Sequence, residues 1–244
     1  MDILHLSQIN FAMDRNIDMK SVLVGIIREN ANFIFLYLIV SFFFLILLGA
    51  YGNSVLFLFV NENHSEFGDF LFFCITNLGD GIIAFLLILS LLRVSYRDAI
   101  TFLIITLLIT LIVGLSKYYF FTELARPVFY FRNTKLLHLV SGYHPSNMGT
   151  FPSGHTATIF SVCLYLSIYS KSKVVKMLLF IIALSVGYSR VYLSEHFPAD
   201  VVAGAFVGIS VTLLCYCYSR LFMNSWLDNN IIYTSKIFLK QSTL

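Results

Sequence analysis

Ala31–Tyr51, ANFIFLYLIVSFFFLILLGAY, is twenty-one residues without a charge, a proline or a period-two alternation. As an α-helix rising 1.5 Å per residue, such a run covers the ~30 Å hydrocarbon layer of a bilayer. Helix is the conformation that satisfies its backbone there, because lipid offers no hydrogen bonds. Five further runs read the same way: 68–92, interrupted by TNLGDG; 99–116, AITFLIITLLITLIVGLS; 154–170; 174–192; and 200–222. The expectation is an all-α, polytopic membrane helix bundle of about six transmembrane helices. With no internal repeat, it divides into an arm (1–30), one six-span domain (31–222) and a tail (223–244).

Composition supports this reading. Of 244 residues, 58% are hydrophobic and 12% charged, with mean hydropathy +0.83, whereas soluble domains carry roughly 25% charged residues. A net charge of +3 gives nucleic-acid binding no electrostatic support. Cys163, Cys215 and Cys217 sit in apolar runs and Cys74 follows Phe72-Phe73, which suits neither a disulfide framework nor a zinc site. Charges scattered through the first 30 positions argue against a cleavable leader. Those positions are compatible with an interfacial amphipathic helix or with a flexible polar arm.

Lysine and arginine placement orients the bundle. Arg15, Lys20, Arg28, Arg93, Arg97, Lys171, Lys173, Lys176, Arg220, Lys236 and Lys240 fall on one side, and Lys117, Arg126, Arg132, Lys135 and Arg190 on the other. Eleven against five puts both termini in the cytoplasm. The long connection 117–153 and the 190–199 turn then face outward.

Polar chemistry gathers on that outer face. Lys117 ends the third span, Arg126-Pro127 lies in the long loop, and Pro152-Ser153-Gly154-His155 opens the fourth span. Ser189-Arg190, His196 and Asp200 bracket the turn between the fifth and sixth. Charged groups cost roughly 2.5–3.5 kcal/mol each at mid-membrane, so three cations and two histidines at one end imply a polar pocket. A proline before a helix N-terminus leaves free N–H groups pointing outward, and Gly154 lets backbone approach closely. Phosphate is the natural guest. His196, four residues before Asp200, is then the candidate nucleophile, held in one tautomer by that carboxylate. His155 is the candidate acid for the departing alkoxide. Opposite protonation states for the two predict a bell-shaped pH dependence.

These residues resemble the tripartite signature of the type 2 phosphatidic acid phosphatase superfamily, the lipid phosphate phosphatases. Its P-S-G-H element stands at Pro152–His155, and its S-R-x5-H-x3-D element at Ser189-Arg190, His196 and Asp200. Its first element, usually K-x6-R-P, has eight intervening residues here, YYFFTELA, between Lys117 and Arg126. A separation of seven positions keeps two side chains on one helix face, whereas nine puts them on opposite faces. Convergence therefore requires the helix to end between them, near Thr122; otherwise Lys117 is a snorkelling lysine at a span end. The resemblance implies a phosphohistidine on His196, His155 as acid, phosphate held by Lys117, Arg126, Ser153, Gly154 and Arg190, and no metal or other cofactor.

Asp80 lies within the interruption of the second span. Flanking glycines can break the helix and turn Asp80 toward the pocket, with Lys117 as its partner, or the span simply starts after Gly81. His64, His138 and His144 carry no motif, and Tyr118–Phe121 and Val128–Phe131 read as interface anchors. Arg132 and Lys135 read as ordinary surface charges, with a headgroup contact as the alternative.

The leading function is hydrolysis of a membrane lipid phosphate at the outer leaflet of a bacterial inner membrane. Phosphatidic acid, phosphatidylglycerol phosphate, undecaprenyl diphosphate and a lipid A-type glycolipid are the candidate substrates. The implied partners are the lipid and the membrane, with no nucleic acid and no obligate protein partner. Phosphotransfer at the same site is the nearest alternative. A soluble haloperoxidase is opposed by hydropathy. A transporter would show repeat halves, and a non-catalytic lipid-binding protein need not keep both His196 and Asp200.

Overall fold

The computed structural model describes residues 19–134, 137–221 and 225–231. Among the described residues the architecture is all-α, with no strand and an isolated bridge between Ala125 and Met148. In chain order the helices are α1 (Met19–Glu29), α2 (Ala31–Tyr51), α3 (Asn53–Glu62), α4 (Glu66–Ile75), α5 (Gly81–Leu91), α6 (Tyr96–Leu115), α7 (Pro127–Tyr130), α8 (Gly154–Tyr169), α9 (Lys173–Tyr192) and α10 (Pro198–Leu221). Serine punctuates them. Ser65, Ser95, Ser153 and Ser172 precede α4, α6, α8 and α9, and each side chain accepts from the N–H three residues on, satisfying a donor with no intrahelical partner.

Among the described residues, four helices are long and apolar enough to cross a membrane: α2, α6 with its continuation to Phe120, α9 and α10. The expected interruption at TNLGDG is a 3₁₀ turn, Thr76–Gly79, followed by extended Asp80, and α4 and α5 meet there at 48°. Counting that bent pair as one span gives five. The remaining member of the expected six, α8, has 16 residues, about 24 Å of helix, one residue fewer than the run 154–170. It is also the central helix, packed on α5, α6, α9 and α10, with Ala157, Leu164 and Tyr165 fully buried. By contrast α2 buries only Phe33, Ile34 and Tyr37. Phe35 and Phe42 are more than 60% exposed, an apolar surface suited to lipid rather than water.

Two close approaches lock α8 to its neighbours. Gly204 and Gly208 form a G-x-x-x-G pair on α10, where an added Cβ would collide with the carbonyl oxygens of Ser153 and Ala157 on the α8 side. Small residues at this spacing let helix backbones touch in a bilayer. On α9, a Cβ at Gly187 would meet Val201 at 3.0 Å and Thr156 at 3.6 Å.

The opposite end of the bundle is tied by polar contacts. Buried Asn30, between α1 and α2, accepts from Ser167 at 2.9 Å and from Lys176 at 3.0 Å. Asp98 pairs with Arg220 and accepts from Tyr165 at 3.1 Å, and Arg97 pairs with Asp228 at 2.7 Å. The arm is helical from Met19, with Val22 and Ile26 buried in the core. Residues 1–18 of the arm, most of the 223–244 tail, and Arg15, Lys135, Lys236 and Lys240 of the charge count lie outside the described residues.

Candidate active site

The motif residues come together where α6 ends, α8 and α10 begin, and α9 turns into α10. Beyond Leu115, α6 widens into a π-helical turn, Ser116–Phe120, and stops. The helix therefore ends between Lys117 and Arg126, as their nine-position separation demands. Both converge on Gly149. A Cβ there would lie 3.7 Å from Lys117 Cδ, and Arg126 Nη2 is 3.5 Å from its carbonyl oxygen. Arg126 also donates through Nε to Met148 O at 3.0 Å and through its backbone N–H to Asn147 O at 2.9 Å. The arginine is thereby pinned to the strap that leads into Thr150 and Pro152. Burial above all, then the neighbouring Arg190 guanidinium, holds Arg126 below the usual arginine range.

Ser153 is fully buried and caps α8, its Oγ accepting from Thr156 Oγ1 at 2.8 Å and its N–H donating to Asp200 O at 3.0 Å. These bonds leave the Ser153 hydroxyl proton, and the first-turn N–H groups of Gly154 and His155, as donors for an anion at this helix start. Ser189 turns back on its own helix, donating to Val186 O at 2.7 Å.

His155 meets Asp80, Nε2 to Oδ1, at 2.7 Å. Asp80 thus faces the pocket, on His155 rather than on Lys117. The 3₁₀ turn makes this possible: Gly79 packs so tightly that a Cβ would lie 2.9 Å from His155 Cβ. The His155 and Asp80 side chains stay 34% and 43% exposed, whereas His196 is 2% exposed, so one histidine faces the mouth and the other the floor.

His196 Nδ1 lies 3.4 Å from Asp200 Oδ2 and 3.3 Å from Thr150 Oγ1. Both are long for hydrogen bonds, as catalytic contacts outside a transition-state complex often are. Thr150 donates to the same Asp200 oxygen, which also accepts from Phe197 N at 2.9 Å. Asp200 is therefore fixed from both sides and directed at Nδ1, leaving Nε2 of His196 as the free ring nitrogen. Burial above all, then the charges of Arg190, Arg126 and Lys117, push His196 well below the usual histidine range. The ring is neutral at pH 7, the state a nucleophile requires.

Arg190 is 3% exposed and donates to Thr76 at 2.5 Å and to Tyr143 at 3.2 Å. Its buried Nε has no hydrogen-bond partner, a donor left for a ligand. Glu195, between the motif's arginine and histidine, pairs with Arg126 and lies 3.6 Å from Arg190. Thr76, Tyr143, Thr150 and Glu195 lay outside the sequence reading. Glu195 alone carried a signal, an acid inside the five-residue gap.

Of the remaining histidines in the loops, His138 pairs with Asp69 at 2.9 Å and stacks on His64 at 3.7 Å, bracing the loop. Arg132 lies over the Phe129 ring at 3.9 Å, and Tyr118, Tyr119 and Phe120 are at least 75% exposed. A groove of about 520 Å³ between α6 and α10, lined by Ile104, Leu108, Leu214 and Tyr218, contains none of the site residues.

The sequence model of the PAP2 superfamily matches residues 98–223. A lipid A 4'-phosphatase of Bacteroides thetaiotaomicron is 33% identical over 73 residues, 30% of this chain and 32% of that protein. The bacitracin transport permease protein BcrC of Bacillus licheniformis is 34% identical over 67 residues, 28% of this chain and 32% of that protein. These alignments span about a third of each curated relative's length. Among solved structures, Aquifex aeolicus LpxE superposes with a TM-score of 0.56 at 29% identity, covering 70% of this chain and 95% of that one. A transmembrane PAP2-type phosphatidylglycerolphosphate phosphatase from Bacillus subtilis gives a TM-score of 0.57 at 21% identity, covering 80% of this chain and 98% of that one, a likeness of fold.

Proposed function

This chain belongs to the PAP2 superfamily, and from that premise we propose that it is a membrane lipid phosphatase working through a phosphohistidine on His196. The observation that carries the reading is the pair of unlike histidines. His196 is buried and neutral, with Nδ1 turned to Asp200 and Thr150. His155 sits at the mouth with a carboxylate on Nε2.

In the first step Nε2 of His196 attacks phosphorus in line and the bond to the lipid oxygen breaks. Lys117, Arg126 and Arg190 balance charge on the transferring group, the largest contribution expected in phosphoryl transfer. Protonated His155 gives a proton to the departing alkoxide through Nδ1, the ring nitrogen opposite the one that Asp80 holds. In the second step neutral His155 accepts a proton from water, the water oxygen attacks phosphorus, and inorganic phosphate departs from His196. Asp200 and Thr150 stabilise the positive ring in between. No metal enters these steps.

The substrate class follows from the setting, since an amphiphile keeps its phosphate at the interface while its chains stay in lipid. A phosphorylated glycolipid of the lipid A type is the first candidate, because a relative bearing that activity aligns with this chain. Phosphatidylglycerol phosphate, undecaprenyl diphosphate and phosphatidic acid follow. The active site would open to the periplasm of a bacterial inner membrane, on a phosphatase domain spanning 31–222.

Phosphate release by detergent-purified protein across these four lipids, with and without EDTA, tests the proposal. Release from one or a few of them that survives chelation is expected. No release by folded protein, or release abolished by chelation, counts against it.

Two finer expectations follow. Because the His196 pKa is depressed and its neutral form attacks, kcat/KM should fall on the acid side only well below pH ~6.5, the ordinary histidine value. A profile with the substrate's own phosphate ionisation divided out should show this. An acid limb at or above 6.5 would contradict a neutral buried nucleophile. Asp80→Asn should lower lipid turnover about tenfold or more, since a general acid supplies roughly 10²–10⁴. With p-nitrophenyl phosphate, whose leaving group needs no proton, the loss should be much smaller. Equal losses on both substrates would assign Asp80 a role other than supporting the acid.

A further inference from the structure

Glu195 occupies one of five unspecified positions between Arg190 and His196, yet it is the acid most deeply engaged with the cations. Its side chain is 7% exposed, paired with Arg126, and 3.6 Å from Arg190. Oε1 accepts from the Tyr143 hydroxyl at 2.9 Å, and Arg190 donates to that same hydroxyl at 3.2 Å. The Glu195 backbone N–H donates to Arg190 O at 3.0 Å, which fixes the root of the side chain beside the arginine.

Carboxylate and phosphate present the same forked oxygens to a guanidinium. One of the three cations that would grip phosphate, Arg126, is therefore already paired with an anion, and a second, Arg190, lies 3.6 Å from the same carboxylate. Lys117, Arg126 and Arg190 sum to three positive charges, and Glu195 with Asp200 returns two of them. Lacking the glutamate, the cluster would hold inorganic phosphate, a product as highly charged as the substrate group, more tightly than turnover tolerates. Slow product release is a common limit on kcat.

We infer that Glu195 is a charge-balancing residue of the phosphate site, competing with phosphate for Arg126 and Arg190 and so speeding departure of the product. The inference rests on the reading of this pocket as a phosphate site. A purely orienting glutamate makes the opposite prediction. If Glu195 only held the arginines in place, its loss would loosen them and weaken anion binding.

The test is titration calorimetry of inorganic phosphate and orthovanadate on the full-length detergent-purified protein and on Glu195→Gln, with steady-state kinetics alongside. Competition between charges predicts about tenfold tighter phosphate in Glu195→Gln, with kcat and KM both lowered. Glu195→Asp, its carboxylate drawn back by one methylene, should be intermediate, and it decides the question alone if the glutamine variant does not fold. Unchanged or weaker phosphate binding in the folded variants overturns the inference while leaving lipid hydrolysis by the parent protein intact. Tighter binding in the variants of a protein that hydrolyses none of the lipids would sustain the charge balance and reject the enzymatic reading. A parent protein that neither hydrolyses lipid phosphate nor binds either anion would bring down both.

Discussion

Replacing His196 with alanine is expected to reduce phosphate release by roughly 10⁴-fold or more, since removing a nucleophile leaves only positioning and electrostatics. The loss should fall on kcat, with phosphate affinity much less affected, because Lys117, Arg126 and Arg190 remain. Asp200→Asn should cost less, because the ring would keep its place but lose a charge partner. Thr150→Val should cost less again, because Phe197 N still donates to Asp200 at 2.9 Å. This order follows from what each group does: His196 forms the bond to phosphorus, Asp200 sets a charge against Nδ1, and Thr150 helps hold that carboxylate in place. His155→Ala adds a separate signature. With an activated leaving group the first step needs no acid, whereas the second still needs a base, so radiolabelled phosphate should accumulate on the protein. Acid-labile, base-stable label in His155→Ala, absent when His196→Ala is added, would identify the phosphohistidine. Label in neither variant, despite turnover by the parent protein, would direct the search to another nucleophile.

The parts of this fold and site that were legible in the sequence share a physical cause: each rests on local chain properties. Ala31–Tyr51 had to be a helix because its composition leaves the backbone no other partner. The interruption at TNLGDG was visible because glycines and an acid cannot continue an apolar span unnoticed. Lys117 and Arg126 were expected to converge only if the helix ended between them. It ends at Phe120, and both side chains reach Gly149. What stayed hidden depends on juxtaposition across the chain. Thr150 lies 46 positions from His196 and Thr76 lies 114 from Arg190, and neither spacing leaves a local trace. Asp80 was read as either turned toward the pocket or preceding the span, and its partner, His155 rather than Lys117, is set by how closely Gly79 lets the 3₁₀ turn approach α8. The bounds of α8, by contrast, were legible: Pro152-Ser153 marks its start, and the run 154–170 became the helix Gly154–Tyr169.

The second large effect is expected at a contact between two helix backbones. Gly204→Ala adds one methyl where α10 crosses α8, and that methyl has no room. It would press on the Ser153 carbonyl oxygen and lie 3.2 Å from Thr156 Cβ. A flexible side chain could give way, but the carbonyl of a helix cap cannot without moving the helix. The two helices must therefore part, by a few tenths of an ångström or more, at the level of the active site. The bond from Ser153 N to Asp200 O, 3.0 Å long, joins the segment carrying His155 to the helix that begins beside His196. Stretching it should cost activity more than tenfold even in protein that remains folded, since small misplacements of reacting groups are expensive. Overpacking at such a contact costs typically ~1–3 kcal/mol, so the detergent-purified variant should also unfold several degrees below the parent protein. Gly208→Ala, whose methyl would press on the Ala157 carbonyl, should destabilise similarly but disturb the chemistry less, being one turn further from His155. Gly49→Ala is the control. Nothing lies within 4 Å of a Cβ there, and alanine is the better helix former, so neither stability nor turnover should fall. Were Gly204→Ala as stable and as active as Gly49→Ala, the G-x-x-x-G contact would not be what aligns the two histidines. Their alignment would then have to come from the strap held by Arg126.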